Sequence, residues 1–286
     1  MDQSSNSKSQ PRGQYDANYG NFQTELYEQI RSEAFGEDIG QNSWLTADEL
    51  DRFLTRLELS PSKKLLDVAC GAGGPILRMA AISGCSVVGI DVHEQAIATA
   101  RSLAAQRGLS TRAEFHIANA AERLPFSDAS FDAITCIDAI NHLAGRPNVI
   151  AEWARLLKPR GRLLFTDPIT VTGPISNSEV SIRSSAGYYL WVPPGYDERI
   201  IAQSGLNLLH SQDVTQNMAD VAERRKAARA SRASALRGIE GDAAFDSQQK
   251  FLEIAARIAK QRRLSRFLLV SEKPDSTWSE HFSIAL

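Results

Sequence analysis

The sequence has few cysteines and no long apolar run, and both absences exclude classes of protein. Its three cysteines, Cys70, Cys85 and Cys136, include no C-x-x-C pair, so we expect neither a disulfide framework nor a metal site. No stretch approaches the roughly 20 apolar residues of a transmembrane helix. The polar residues 1–19 lack the apolar segment of a signal peptide. We therefore expect a cytoplasmic protein without a membrane partner.

The chain also lacks an excess of charge of either sign. It has 32 basic and 34 acidic side chains among 286 residues, a formal charge of −2, which provides no global field for recruiting nucleic acid. The most basic segment, 221–237, has no aromatic residues between its arginines. We interpret it as a solvated helix face or as a contact in a homo-oligomer. RNA binding through this segment stays open as an alternative.

What the sequence does contain is an alternation of short apolar strands and amphipathic helices. Strands are predicted at 65–69, 86–91, 113–118, 131–137, 161–167, 206–213 and 264–271, and helices between the first five at 74–82, 94–107 and 146–157. Strands separated by helices are typical of a parallel sheet covered on both faces. We expect an α/β fold with a Rossmann-like, doubly wound sheet of seven strands.

A glycine-rich turn follows the first strand, where residues 67–75 are DVACGAGGP. Glycine permits close backbone approach to a ligand, and the helix N-terminus after the turn offers unpaired N–H groups. Asp91 ends the second strand, 24 residues after Asp67, and can accept hydrogen bonds from ribose hydroxyls. The dinucleotide pattern G-x-G-x-x-G fails, because Ile76 stands where a third glycine is required. Asp67 would suit a cofactor that carries an ammonium group.

These motifs resemble those of the class I S-adenosylmethionine-dependent methyltransferases. The family's first motif has variants such as D-V-G-C-G-x-G-G, and here Ala69 replaces its first glycine. The later family motifs are matched by LPF at 124–126, SFD at 130–132 and LKPRGRL at 157–163. The resemblance covers about residues 60–270 and implies S-adenosylmethionine as the cofactor.

The resemblance also implies which residues hold the cofactor. Ribose is expected at Asp91 and Val92, and adenine at Asn119 and Ala120. The motif residues are Asp67, Ala69, Gly71 and Gly73. The loop before the first strand adds Gln41 and Ser43, expected on the methionine carboxylate, and Trp44, expected to shield the sulfonium. The alternative for this loop is a connector between two helices, with Trp44 in the core.

The chain divides around this core. Residues 1–19 are predicted to be a disordered tail, and 20–60 to form N-terminal helices that cover the cofactor. The cofactor-binding core spans 61–167. Residues 168–263 are predicted to form a helical cap made of late insertions, with one core strand at 206–213. Residues 264–286 supply the last core strand and a tail.

The candidate catalytic residues are His142 and Asp167, which follow the fourth and fifth strands. Neighbouring strands are expected to bring them together as a general base and its orienting carboxylate. This arrangement resembles the pair in natural-product sugar O-methyltransferases of the family. The alternative is that His142 packs under the cofactor loop and bonds the backbone. Tyr188, Tyr189 and Trp191 are expected to line the acceptor pocket, the alternative being packing inside the cap.

We therefore expect a methyltransferase that acts on an oxygen or nitrogen atom of a small molecule, in the manner of secondary-metabolism enzymes. One alternative is carbon methylation of an isoprenoid or aromatic metabolite. Another is a cofactor-binding protein that has no catalytic activity. The sequence does not identify the acceptor.

Overall fold

The protein is described here from a computed structural model covering residues 19–185 and 187–275. Its strands are β1 (Lys64–Val68), β2 (Ser86–Asp91), β3 (Ala113–Ile117), β4 (Phe131–Ile137), β5 (Leu157–Val171), β6 (Asn207–Asp213) and β7 (Leu264–Glu272). They form one sheet in the order β3-β2-β1-β4-β5-β7-β6. Strand β7 is antiparallel to both neighbours, and the other pairs are parallel. The predicted seven-stranded Rossmann-like fold is confirmed.

Helices precede β1 and lie in most of the connections between the strands. They are α1 (Glu25–Phe35), α2 (Ala47–Leu54), α3 (Gly74–Ser83), α4 (Glu94–Gln106), α5 (Arg146–Leu156), α6 (Asn177–Arg183), α7 (Tyr196–Gln203), α8 (Thr215–Ala230), α9 (Ala233–Glu240) and α10 (Asp242–Lys260). A short 3₁₀ helix, Ile140–His142, follows β4. Within the described residues, no helix has the length and apolar character needed to cross a membrane.

The central strands β1, β2 and β4 are buried on both faces, which explains why their sequences are almost continuously apolar. Leu65 and Val87 point to one face and pack among residues of α2, α3 and α4. Their neighbours Leu66 and Val88 point to the other face and pack among residues of α5 and α7. Alternate residues of one strand thus build two separate cores.

The predicted cap shares its core with the N-terminal helices. Phe35 of α1 and Trp44 join a buried cluster with Met218 of α8 and with Phe251 and Leu252 of α10. The late helices and α1 therefore form one packed layer, in which the first and last thirds of the chain meet.

The basic segment 221–237 makes more internal contacts than a solvated face would. Arg224 donates to the Ala34 carbonyl, and the 3%-exposed Arg229 pairs with Glu240. Arg232 pairs with Glu33 of α1. The interpretation of this segment as a solvated face is therefore corrected, because these arginines attach α8 to its neighbours.

A buried ion network joins distant parts of the sequence. Arg266 of β7 is fully buried; its Nη1 donates to both Glu49 oxygens of α2 at 2.9 and 2.7 Å, and its Nε donates to Asp138 Oδ1 at 2.6 Å. The backbone N–H of Trp44 donates to Asp138 Oδ2 at 2.9 Å. The Thr46 side chain accepts a hydrogen bond from the Glu49 backbone amide and so caps α2, whereas the Glu49 carboxylate forms an ion pair with Arg266. The network therefore fixes α2 and the loop before it against the sheet.

We expect Arg266→Met to lower the free energy of unfolding by about 3–5 kcal/mol, because two buried carboxylates lose their counter-ion. Urea denaturation followed by circular dichroism measures the change. The control is Arg262→Met, whose ion pair with Asp213 is half exposed and should contribute little. Equal effects of the two substitutions would contradict a structural role of the buried network.

Candidate active site

A cavity of about 580 Å³ opens at the carboxyl ends of β1, β2, β3 and β4. This is where open α/β sheets bind ligands, and the volume lies in the ordinary range for small-molecule sites. The lining comes from the loop before α2, the turn between β1 and α3, the end of β2, and the segments after β3 and β4, with Tyr19, Gly187 and Tyr188 in addition. The glycine-rich motif and the segment carrying His142 thus face one space.

The turn after β1 is held to the end of β2 by a carboxylate. The Gly71 amide donates to Asp91 Oδ2 and the His93 amide donates to Asp91 Oδ1, both at 2.9 Å. Gly71 has φ +55°, and a Cβ there would come within 2.7 Å of the Tyr19 hydroxyl. Ala69, at φ 56°, has the left-handed conformation that favours glycine, the residue of the family motif. The turn is therefore strained and closely covered.

Gly73 has a structural role at the N-terminus of α3. It caps the N-terminus of α3 at φ +79°, and a Cβ there would lie 2.8 Å from the Ala100 Cβ and 3.1 Å from the Phe115 ring. It is absent from the described lining of the cavity. Its lack of a side chain serves the packing of α3 on α4 and the sheet, and its contact with the cofactor stays a prediction.

Asp67 lies on the cavity wall at the end of β1 with 4% of its surface exposed. Burial raises its pKa to about 7, the charge of Asp91 adds to the rise, and a 2.7 Å hydrogen bond from Thr135 Oγ1 opposes it. The group is therefore poised between neutral and charged forms near neutral pH. A cationic ligand group beside it would favour the carboxylate.

The segment after β3 forms a turn at the cavity edge. Asn119 Oδ1 accepts the Ala121 amide at 3.0 Å, and Asn119 Nδ2 donates to Glu122 Oε1 at 2.7 Å. Ala120 and the half-exposed Val92 also face the cavity. The structure thus places the predicted ribose and adenine residues side by side, with apolar surface suited to a flat base.

In the loop before α2, Asn42 and Ser43 line the cavity, whereas Gln41 and Trp44 turn away from it. Gln41 turns back into its own loop, where it donates to the Glu37 carbonyl and accepts the Ile39 amide. Trp44 stacks on Phe251 with ring centroids 6.2 Å apart. The predicted cofactor contacts of Gln41 and Trp44 are therefore corrected, and Trp44 belongs to the core.

His142 lines the far end of the cavity, but its observed orienting contact is not Asp167. His142 Nδ1 lies 3.0 Å from the Tyr188 carbonyl. Asp167 is fully buried, where it accepts from Arg146 Nη1 at 2.5 Å and from the Ile169 amide at 3.0 Å, and it is absent from the described lining. One Asp167 oxygen is thus bonded to Arg146 of α5 and the other to the backbone of β5. The predicted role of Asp167 as the hydrogen-bonding partner of His142 is corrected, and only its charge acts on the histidine.

Of the three predicted acceptor-site aromatics, Tyr188 lines the cavity. The Tyr189 ring packs edge-on against His142, with centroids 4.5 Å apart, and Trp191 Nε1 donates to Ser184 Oγ. Among the described residues, the lining includes neither Tyr189 nor Trp191. Tyr189 and Trp191 therefore pack inside the cap, which is the alternative stated for them above.

The lining residues that were not predicted from the sequence include Tyr19, Asn42, His93 and Asp138. Tyr19 falls in the predicted tail, yet only 8% of it is exposed and its ring lies 4.8 Å from that of His93. Residues 1–18, the rest of that prediction, lie outside the described chain. Asp138 directly follows β4, and its position at a strand end was the available signal.

Comparison with known proteins agrees with this geometry. A family model described as a methyltransferase domain matches residues 59–195. The chain is 29% identical to 27-O-demethylrifamycin SV methyltransferase of Amycolatopsis mediterranei, across 67% of this chain and 75% of that one. It is 33% identical to methyltransferase GfsG of Streptomyces halstedii, across 58% and 60%. Further relatives are named as O-, C- and N-methyltransferases.

A solved structure shows the same fold at lower sequence identity. It is described as a putative sarcosine dimethylglycine methyltransferase from Galdieria sulphuraria and has a TM-score of 0.72, 22% identity, and coverage of 80% of this chain and 86% of that one. This likeness shows the fold. The match to a methyltransferase domain, the relatives named as methyltransferases and the cavity together support a class I S-adenosylmethionine-dependent methyltransferase that acts on small molecules.

We expect Asp91→Ala to weaken S-adenosylhomocysteine binding by about 10- to 100-fold, because a charged acceptor for ribose hydroxyls and two backbone amides is lost. Isothermal titration calorimetry measures the dissociation constant. Asp128→Ala, an exposed carboxylate just before β4, is the control and should bind as the wild type does. Unchanged affinity of the Asp91 variant would overturn the placement of the ribose.

Proposed function

We propose that this methyltransferase acts on an oxygen or nitrogen atom of a small acceptor, and that a hydroxyl group fits its site best. The observation that carries the proposal is a histidine on the cavity wall, His142, which follows β4, whereas the predicted adenine residues follow β3 at the edge of the sheet. S-adenosylmethionine supplies an electrophilic methyl group when bound. Transfer to a hydroxyl benefits from a base, whereas a neutral amine needs mainly orientation and desolvation.

The tautomer of His142 suits this task. A carbonyl oxygen only accepts, so Nδ1 must carry the hydrogen in its contact with Tyr188. The neutral ring then has its lone pair on Nε2. Burial lowers the pKa of His142 to about 4, with the Tyr188 contact opposing, so the ring is uncharged at neutral pH. A neutral imidazole with a fixed tautomer can accept the acceptor's proton.

The proposed step balances in charge. The hydroxyl oxygen forms a bond to the methyl carbon, the electrons of the broken carbon–sulfur bond remain on sulfur, and the proton passes to His142 Nε2. The positive charge thus moves from the sulfonium to the imidazole ring, and the total charge of the closed site stays constant. Constant charge limits the penalty that burial imposes on a protonated His142.

For the cofactor, we propose that Asp67 holds the methionine ammonium, Asp91 the ribose, and Asn119 with Ala120 the adenine. The residues fit because two carboxylates lie where cationic and hydroxyl groups would be, and an apolar turn lies at the other end. The relative named for 27-O-demethylrifamycin SV supports a natural-product acceptor from secondary metabolism.

Carbon methylation is the second candidate. It is favoured by aromatic surface near His142, supplied by Tyr188 on the wall and Tyr189 behind it, because aromatic faces stabilise a cation formed on carbon. Relatives named as sterol C-methyltransferases agree with it. Carbon methylation depends less on His142 acting as a base than hydroxyl methylation does.

We expect His142→Gln to lower kcat by about 10²- to 10⁴-fold with an unchanged dissociation constant for S-adenosylhomocysteine, because the base is lost and the cofactor site is not. Transfer of radiolabelled methyl groups to hydroxylated natural products, tested as a panel, provides the assay. His210→Gln on the exposed strand β6 is the control. Full activity of the His142 variant would exclude hydroxyl transfer through this base and favour carbon or amine acceptors.

We expect the affinity for S-adenosylhomocysteine to be about tenfold weaker at pH 6 than at pH 8. The pKa of Asp67 is raised to about 7, so its carboxylate, the form that binds an ammonium, is lost as pH falls through 7. Calorimetric titration between pH 6 and 8 measures the slope.

In Asp67→Asn this part of the slope should vanish, because the titrating carboxyl group is gone. An equal slope in the variant and the wild type would contradict a contact between Asp67 and the ammonium.

A further inference from the structure

Arg183 ends helix α6, in the segment that follows β5, and it is buried among aromatic rings. Only 2% of its surface is exposed. Its guanidinium carbon lies 4.7 Å from the ring centroid of Phe251, 5.4 Å from that of Trp44 and 5.6 Å from that of Tyr189. Three rings thus surround one cation.

In the described part of the chain, Arg183 has no acidic partner. Among the described residues, none accepts a hydrogen bond or forms a salt bridge with Arg183, and its Nε is sealed from solvent without a partner. The other buried arginines all have carboxylates: Arg31 has Asp38, Arg146 has Asp167 and Asp197, Arg229 has Glu240, and Arg266 has Glu49 and Asp138. Arg183 is the exception in a protein that otherwise neutralises its buried arginines.

An unpaired buried charge is costly, and the surroundings of Arg183 offset only part of that cost. The aromatic faces attract the cation, and the carbonyl end of α6 favours positive charge. Neither satisfies the planar set of N–H donors, which matches the two oxygens of a carboxylate. The site therefore lacks an anion rather than a neutral group.

Arg183 and Asn141 are not among the described lining residues of the cavity, but the Tyr189 ring contacts both the Arg183 guanidinium and His142, which lines it. After burial, the charge of Arg183 is a further cause that lowers the pKa of His142. Asn141, next to His142 in the chain, is 1% exposed, and neither its side-chain oxygen nor its nitrogen has a partner in the described structure. Two polar side chains without partners thus flank the candidate base.

We propose that Arg183 binds an anionic oxygen group, a carboxylate or a phosphate ester, on the methyl acceptor, and that Asn141 hydrogen-bonds the same molecule. The inference rests on the proposed function, because it takes the acceptor to lie beside His142. A bound anion would supply the missing counter-ion. It would also offset the charge that disfavours a protonated His142, so binding of the acceptor and activation of the base would support each other.

Thermal unfolding of the S-adenosylhomocysteine complex tests this inference with three matched probes: benzoate, phenyl phosphate and the neutral benzamide, at constant ionic strength. We expect at least one anion to raise the Tm of the wild type while benzamide does not. The anion that gives the larger shift distinguishes a carboxylate from a phosphate ester. The effect should be lost in Arg183→Met and retained in the control Arg262→Met.

Without probes, Arg183→Met should unfold at the same temperature as the wild type or higher, because it removes an unpaired charge. This measurement separates loss of the site from loss of folding. Anion shifts equal in Arg183→Met and wild type, or no anion shift in the wild type, would overturn the inference. If S-adenosylhomocysteine itself stabilises neither protein, the cofactor assignment fails instead, and full transfer activity of His142→Gln would reject the base alone.

Discussion

The buried guanidinium of Arg266 is the contact on which the arrangement of the site depends. It joins the last strand to α2 through Glu49 and to the end of β4 through Asp138, and Asp138 in turn accepts the Trp44 amide. Burial opposes its charge, but Asp138 and Glu49 outweigh burial, so the pKa of Arg266 is raised. Because Asp138 also lines the cavity, one buried ion network fixes the loop, the sheet and the cavity wall together.

The two ends of the cavity are built differently. At the cofactor end, backbone amides and two carboxylates form a tight turn in which Asp91 joins Gly71 to His93. At the acceptor end, His142 is held by a backbone carbonyl, and the cation of Arg183 lies close by without a counter-ion. The polar groups at the cofactor end have hydrogen-bond partners within the protein, whereas Arg183 at the acceptor end has no counter-ion. This difference is consistent with a cofactor that is the same in every turnover and an acceptor that carries a negative charge.

The sequence predicted the sheet better than the acceptor site. Strands β2 and β4 have the predicted bounds, because apolar runs between turns determine them locally. Strand β5 runs past its predicted end at residue 167 to Val171, because it continues to pair with β7 after a register shift. Trp44 and Asp167 were misassigned for the same reason: their partners, Phe251 and Arg146, are distant in sequence or on another element. Local patterns do not encode such contacts.

The most direct test of the account is a crystal structure of the complex with S-adenosylhomocysteine. The account predicts ribose hydroxyls within hydrogen-bonding distance of Asp91, the amino group beside Asp67, and the sulfur directed toward His142. A cofactor bound in the opposite direction, or a sulfur separated from His142 by the wall of the cavity, would contradict the assignment of the two ends and the proposed base with it.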